Sequence, residues 1–152
     1  MSVRKSLHQK SPLVAAVEVG KKALRKSDRE RLVEKPTRIR VVDSLDLDCA
    51  ARLEQPEENR WDYLVGTSAA VAPVIAVEVH PANPGQVDTI VAKKKMAEGF
   101  LEAHLIKGMR PARWFWVATG STTVSKNTRE YRRLQLAGID LVGSSLSLAD
   151  KL

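Results

Sequence analysis

Two acidic residues in apolar surroundings are the groups in this chain whose types and spacing most clearly indicate chemistry. Asp62 lies within Arg60–Gly66 and Glu78 within Val74–His80, and both stretches predict short strands. Residues two apart on a strand share one face, so Glu78 and His80 point the same way. Asp62 and Glu78 together supply two hard oxygen ligands. Two such ligands are the minimum needed to hold a divalent cation and a water against a phosphate.

Each of these residues also has a purely structural interpretation. Asp62 at a strand end is consistent with a surface ion pair to Arg60 or Arg113. Glu78 is harder to explain in this way, because a carboxylate on a central strand is costly unless it is paired or bound to metal. His80, directly before Pro81, fits a simple strand end equally well.

The rest of the chain predicts an alternation of helices and strands around a mixed sheet. Trp114 and Trp116 share one face of a strand, which favours core packing over base stacking. Gly138 ends the last helix. Strands joined by helices imply an α/β protein with helices on both faces of the sheet. The first predicted elements are a helix over 12–34, which Ser27-Asp28 could divide into two helices, and a strand over 37–42, which could extend through Asp48. The others are strands over 61–65 and 71–80, a helix over 86–106, a strand over 113–119, a helix over 126–137 and a strand over 139–143.

This order, with Asp62 on the second strand and Glu78-Val79-His80 on the third, resembles the PD-(D/E)XK nuclease superfamily. The core of that family runs helix–strand–strand–strand–helix–strand, and its motif is an acid on the second strand and Glu/Asp-x-Lys on the third. The resemblance covers roughly residues 12–120, with a C-terminal helix and strand added. His80 stands in place of the motif lysine, and Trp61 in place of the proline. The family sometimes supplies the lysine from the next helix, where Lys93 to Lys95 lie.

The resemblance implies a restriction-endonuclease-like three-layer α/β/α fold and a metal-dependent nuclease acting on phosphodiesters. Asp62 and Glu78 would hold Mg²⁺ or Mn²⁺, His80 would orient or deprotonate a water, and Lys94 is taken as the displaced catalytic lysine. The alternative is a catalytically inactive binding or interaction protein of the same fold, which the missing motif lysine favours. Activity as a Mg- or Mn-dependent phosphodiesterase therefore stays open at this point. A third option is a partner-binding protein whose acids pair with arginines internally.

Positive charge is concentrated at the start of the chain. Residues 1–40 hold 12 Lys/Arg and 4 Asp/Glu, whereas residues 41–152 hold 13 and 14. Such a segment suits a phosphate backbone, so we expect a nucleic-acid partner, DNA rather than RNA, although a solvated helix face is an equally simple explanation. The expected contacts are Lys21, Lys22, Arg25, Lys93 and Lys95.

Four further acids are secondary candidates for the site. Asp43, Asp46 and Asp48 alternate near the first predicted strand, where a solvent-facing edge is the simpler interpretation. Glu18 would lie on the first helix, where a solvated carboxylate is favoured.

Composition and length indicate one domain over residues 12–152, preceded by a flexible segment over 1–11. The single cysteine, Cys49, excludes an intramolecular disulfide and a Cys-based zinc cluster. No signal peptide and no apolar run near the ~20 residues of a membrane span is found, so we expect a cytoplasmic protein without membrane contact. The resemblance also implies a homodimer as one option, since small nuclease domains of this type often need a dimer to engage both strands of DNA.

Overall fold

A six-stranded mixed sheet forms the centre of the protein in the computed structural model, which describes residues 2–35, 37–56 and 59–152. The strands are β1 (Glu18–Val19), β2 (Leu32–Val33), β3 (Val41–Asp46), β4 (Tyr63–Thr67), β5 (Val74–Pro81), β6 (Arg113–Thr119), β7 (Ile139–Val142) and β8 (Leu146–Ser147). The helices are α1 (Val3–Ser6), α2 (Lys26–Arg29), α3 (Leu47–Ala51), α4 (Val87–His104), α5 (Arg129–Leu136) and α6 (Leu148–Lys151). Across these described ranges, no helix combines the length and the apolar character needed to cross a membrane.

The order of strands in the sheet places the ends of several strands side by side. The order is β1-β3-β4-β5-β6-β7, while β2 and β8 form a separate parallel pair. Strands β3, β4 and β5 are antiparallel neighbours, and β6 and β7 run parallel to β5. The start of β4 therefore lies at the same edge as the C-terminal ends of β5, β6 and β7. We call this the carboxyl edge. The expected α/β class with a central mixed sheet is confirmed.

Alternation along the strands gives the sheet two apolar faces. Trp114 and Trp116 of β6 pack with Ile90 of α4 on the first face. Phe115, between the two tryptophans, packs with Leu24 on the second face. The predicted core role of the two tryptophans is therefore confirmed.

The two long helices lie on the same face, which differs from the expected layer of helices on each side. Buried residues of both α4 and α5 belong to the first apolar cluster. The connections β5–α4–β6 and β6–α5–β7 advance in the same direction across the sheet, and right-handed crossovers in one direction place their helices on one face. The second face is covered by short segments that contribute Leu24, Leu32, Leu146 and Leu148.

The helix predicted over residues 12–34 does not form. A 3-10 turn over Pro12–Ala16 leads instead into β1, α2 and β2. Gly20 turns the chain with a φ of 58°, a conformation that favours glycine. The Ser44 hydroxyl then donates to the Gly20 carbonyl at 2.6 Å and accepts from the Ala23 N–H at 3.2 Å. These contacts to β3 hold residues 20–35 as a segment whose only helix is the single turn of α2, and we call this segment the strap.

Residues 2–11, which were expected to be flexible, are packed against the sheet. Val3 is 0% and Leu7 3% exposed. Asp43 of β3 accepts the N–H groups of Val3 and Arg4 at 2.9 and 3.1 Å, at the start of α1. The solvent-facing interpretation of Asp43 is therefore wrong, since this carboxylate is buried and anchors the N-terminal segment.

The close packing of Asp43 and Val3 against Gly66 makes the anchoring role of Asp43 testable. A Cβ on Gly66 would lie 2.1 Å from Asp43 Oδ1 and 2.9 Å from the Val3 backbone nitrogen. We expect Gly66→Ala to lower the free energy of unfolding by about 2 kcal/mol or more, because Asp43 has to move. Urea denaturation measures this change.

The matched control is Gly99→Ala on α4, where an added Cβ meets nothing within 4 Å. It should stabilise the protein by about 0.5–1 kcal/mol, as alanine does in a helix interior. Equal stability of Gly66→Ala and the wild type would contradict the packed N-terminal segment.

Candidate functional site

Asp62 and Glu78 meet at the carboxyl edge, as their positions in the sequence predict. Tyr63 pairs with Val77, so the preceding Asp62 lies opposite Glu78. The Asp62 N–H donates to Glu78 Oε2 at 2.9 Å, and the Val79 N–H donates to Asp62 Oδ2 at 2.9 Å. Each carboxylate thus takes the backbone of the other strand as its partner. Both are fixed where β4 begins.

The third member of the site is Lys93, whose ammonium donates to Glu78 Oε1. The structure corrects the prediction of Lys94 as the displaced lysine. Lys94 donates instead to the Ala137 carbonyl and lies 5.3 Å from the centre of the Trp114 ring. Successive residues of a helix are rotated by about 100°, so only one of two adjacent lysines faces the sheet at Glu78.

Burial dominates the electrostatics of the two carboxylates. Glu78 is 0% exposed, and this burial, together with the charge of Asp62, raises its pKa to about 8 although Lys93 opposes the shift. Burial also raises the pKa of Asp62, while the Val79 N–H and Lys93 act in the opposite direction. Two desolvated carboxylates therefore share one ammonium, and the site favours additional positive charge.

His80 lies on the same strand face as Glu78 but does not join the cluster. Its Nδ1 lies 2.9 Å from the Pro81 carbonyl oxygen, and its own carbonyl accepts from Trp116 Nε1 at 3.0 Å. Among the described residues its ring makes no hydrogen bond to either carboxylate. The predicted contact with a site water stays a prediction.

The nearby aspartates stabilise local structure. Asp46 caps α3 by accepting the Cys49 N–H at 2.9 Å, and Asp48 forms ion pairs with Arg60 and Arg52 at 2.9 and 3.5 Å. Within residues 2–35, 37–56 and 59–152, no group of three or more His, Cys, Asp or Glu side chains is arranged to hold a metal ion. Asp62 and Glu78 supply two carboxylates, one fewer than such a group requires.

Glu18 is remote from the pair. It is exposed on β1, the outermost strand of the sheet, rather than on a helix. The expectation of a helical acid that extends the site is therefore wrong, because the helix that would carry it does not form.

The five predicted phosphate contacts fall into two groups, those engaged within the protein and those exposed, and Lys93 belongs to the first group through its contact with Glu78. Lys21 is engaged within the strap, where its ammonium donates to the Leu32 carbonyl at 2.7 Å and pairs with Glu34 at 3.1 Å. Lys22, Arg25 and Lys95 are exposed, the first two on the strap and the third on α4.

One polar chain was not anticipated from the sequence. Ser11 Oγ lies 2.8 Å from His104 Nδ1, and His104 Nε2 lies 3.1 Å from Glu54 Oε1. The order resembles a nucleophile, base and acid, but Ser11 Oγ also accepts the Leu13 N–H as the cap of the first turn. These contacts join the N-terminal segment to the end of α4. The three residues are far apart in sequence, so no local pattern could have revealed them.

Comparison of the chain with protein-family models, curated proteins and solved structures finds no match. The function is therefore inferred from the geometry and charge of the site.

The raised pKa of Glu78 gives a pH dependence of stability with a definite sign. The unfolded carboxyl ionises near its ordinary value of 4.5 and the folded one near 8. Below pH 4.5 the carboxyl is protonated in both states, so its ionisation does not affect the free energy of unfolding. Between pH 4.5 and about 8 only the unfolded state ionises, so the free energy of unfolding falls as the pH rises. Above about pH 8 both states are ionised and the loss of stability stays constant. We expect Glu78→Gln, which keeps the shape but cannot ionise, to gain stability relative to the wild type as the pH rises through this window.

Urea denaturation of both proteins in EDTA, at several pH values across the window, measures this difference. The control is Glu102→Gln, which replaces an exposed acid on α4. Its free energy of unfolding should differ from that of the wild type by a nearly constant amount across the window. A Glu78→Gln difference that is equally constant would contradict the burial argument.

Proposed function

We propose that Asp62 and Glu78 hold Mg²⁺ or Mn²⁺ and that the protein hydrolyses phosphodiester bonds of nucleic acid. The observation that carries this proposal is the convergence of three charged groups from three separate elements at the carboxyl edge. Asp62 comes from the entry to β4, Glu78 from β5 and Lys93 from α4. A carboxylate buried as completely as Glu78 needs a strong reason to be there, and cation binding supplies one.

The donor set fits a hard divalent cation that keeps most of its water. Mg²⁺ is commonly held by one or two carboxylates and retains several waters, so two protein oxygens are sufficient. Asp62 Oδ2 and Glu78 Oε2 each accept one backbone N–H, which fixes both groups and leaves further lone pairs on each carboxylate. The Lys93 ammonium at Glu78 Oε1 marks the place where positive charge is accommodated.

Each residue then has a role that follows from its position. A bound cation would polarise a phosphoryl oxygen and lower the pKa of a coordinated water. Asp62 is more accessible than the fully buried Glu78 and lies at the entry to β4 on the carboxyl edge, where a phosphate would approach. Glu78 anchors the cluster from the interior. Lys93 holds an ammonium beside it that stabilises negative charge developing on the phosphate.

The same arrangement supports the resemblance to the PD-(D/E)XK nucleases. Two acids on adjacent antiparallel strands and a lysine from the following helix match the variant of the motif in which the lysine is displaced. Lys93 occupies that position here. The restriction-endonuclease-like fold is part of the proposal. The strap, which replaces the first core helix of that family, departs from its pattern.

A second candidate function is a catalytically inactive protein of this fold that binds a partner. The ion pair between Lys93 and Glu78 favours it, because the cluster is then partly neutralised from within the chain. In that case the three residues stabilise the edge of the sheet.

Metal-dependent cleavage of DNA distinguishes these candidates. We expect the wild type to cut duplex DNA with Mg²⁺ or Mn²⁺, and Asp62→Asn and Lys93→Met each to lower the rate on the order of 10²-fold or more. Gel-based cleavage rates at saturating metal measure this loss. Circular dichroism melting verifies that the variants remain folded.

Glu102→Gln, at an exposed position of α4, is the matched control and should cut at the wild-type rate. Cleavage that persists in Asp62→Asn would refute the proposed site. Absence of cleavage by the folded wild type at saturating metal would leave the inactive binding protein as the better account.

A further inference from the structure

The strap lies on the second face of the sheet and meets the carboxyl edge at the start of β4. The Arg25 N–H donates to Tyr63 Oη at 3.3 Å, and Tyr63 is the residue after Asp62. Further along the strap, Arg31 Nη1 donates to the Ser144 carbonyl at 2.9 Å, just beyond the end of β7. The strap therefore passes from the start of β4 to the end of β7, on the face of the sheet opposite α4.

Internal contacts hold the strap in a defined conformation. Arg29 donates to the carbonyls of Leu24 and Lys22 at 2.9 and 3.0 Å. Asp28 accepts from Tyr63 Oη at 2.6 Å, and Leu24 is buried in the second apolar cluster. Together with the ion pair between Lys21 and Glu34, these contacts fix the backbone without using the other basic side chains of the strap.

Three cations on this fixed backbone are exposed to solvent. Lys22, Arg25 and Lys26 are all exposed, and within the described part of the chain none of them forms an ion pair. Electrostatic interaction with Tyr63, and after it with Asp62, raises the pKa of Arg25, although desolvation acts against the shift. The Arg25 guanidinium therefore lies within electrostatic reach of the candidate metal ligand.

We propose that Lys22, Arg25 and Lys26 bind consecutive phosphates of duplex DNA and guide its backbone across the carboxyl edge to Asp62. The choice of ligand rests on the proposed function. The backbone that carries these three cations is fixed before binding, so only their side chains lose conformational freedom on contact, and a polyanion with regularly spaced charges is the favoured ligand. An edge that carries uncompensated acids also needs adjacent cations if a phosphate is to approach it.

Salt-dependent DNA binding without metal tests this surface separately from catalysis. The probe is a short fluorescent duplex DNA, titrated in EDTA at several salt concentrations, with affinity read by anisotropy. We expect Arg25→Gln/Lys26→Gln to reduce the magnitude of the slope of log K against log salt by about 2, since each phosphate contact contributes about 0.9.

The matched control removes the same charge at the opposite edge of the sheet. Lys107→Gln/Arg110→Gln lies in the exposed segment between α4 and β6, and its slope should equal that of the wild type. Thermal melting confirms that both variants fold.

Three results would overturn the proposal: equal losses in both variants, no loss in the strap variant, or no salt-dependent binding by the wild type. Strap-dependent binding in a protein that fails to cleave DNA would sustain this inference and refute only the proposed catalysis.

Discussion

Glu78 lies on a central strand with no exposed surface, and its carboxylate is held by the Lys93 ammonium and the Asp62 N–H. A carboxylate in this position determines the structure around it, because an unpaired charge there would be costly. Lys93 and the buried apolar residues of α4 together fix the rotation of this helix over the sheet. Asp62 takes its place at the entry to β4, where its side chain accepts the Val79 N–H and its carbonyl accepts the Leu47 N–H at 2.9 Å. The ends of three strands and the start of α3 are thereby fixed relative to one another.

The direction of the crossovers determines how the two faces of the sheet are covered. Helices α4 and α5 cover one face, because β5, β6 and β7 follow one another across the sheet through right-handed connections. The other face is closed by short segments. One of them, the strap, is anchored to Tyr63 and to the loop after β7. If residues 20–35 formed one helix, the lysines of this segment would lie along a continuous face of that helix. The strap instead brings the Arg25 N–H to the Tyr63 hydroxyl at 3.3 Å, at the end of the sheet where ligands commonly approach open α/β folds.

The sequence predicts the second half of the fold well because its elements are long and strongly patterned. Strands β5 and β6, helix α4 and the final α5–β7 unit all form where apolar periodicity places them. The first half fails for a physical reason. The apolar spacing of residues 12–34 is compatible with a helix, but contacts from Ser44 and Tyr63, distant in sequence, stabilise the strap. Likewise Asp43 anchors α1 across about 40 residues, a relation that no local pattern contains.

The site shows the same division between local and distant information. Period-2 geometry and strand order are sufficient to predict that Asp62 and Glu78 are neighbours. To choose among Lys93, Lys94 and Lys95, the rotation of α4 about its axis has to be known to within one residue. The sequence predicts where a helix begins and ends less precisely than that. The predicted position was Lys94, whereas the lysine that reaches Glu78 is Lys93. Calorimetric titration of Mn²⁺ into the wild type and Asp62→Asn, at about pH 6 and about pH 9, tests the central claim most directly. The account predicts binding that disappears in Asp62→Asn and releases more protons at the lower pH, because Glu78 must ionise to bind. Binding that is unchanged in Asp62→Asn, or absent from the wild type, would contradict it.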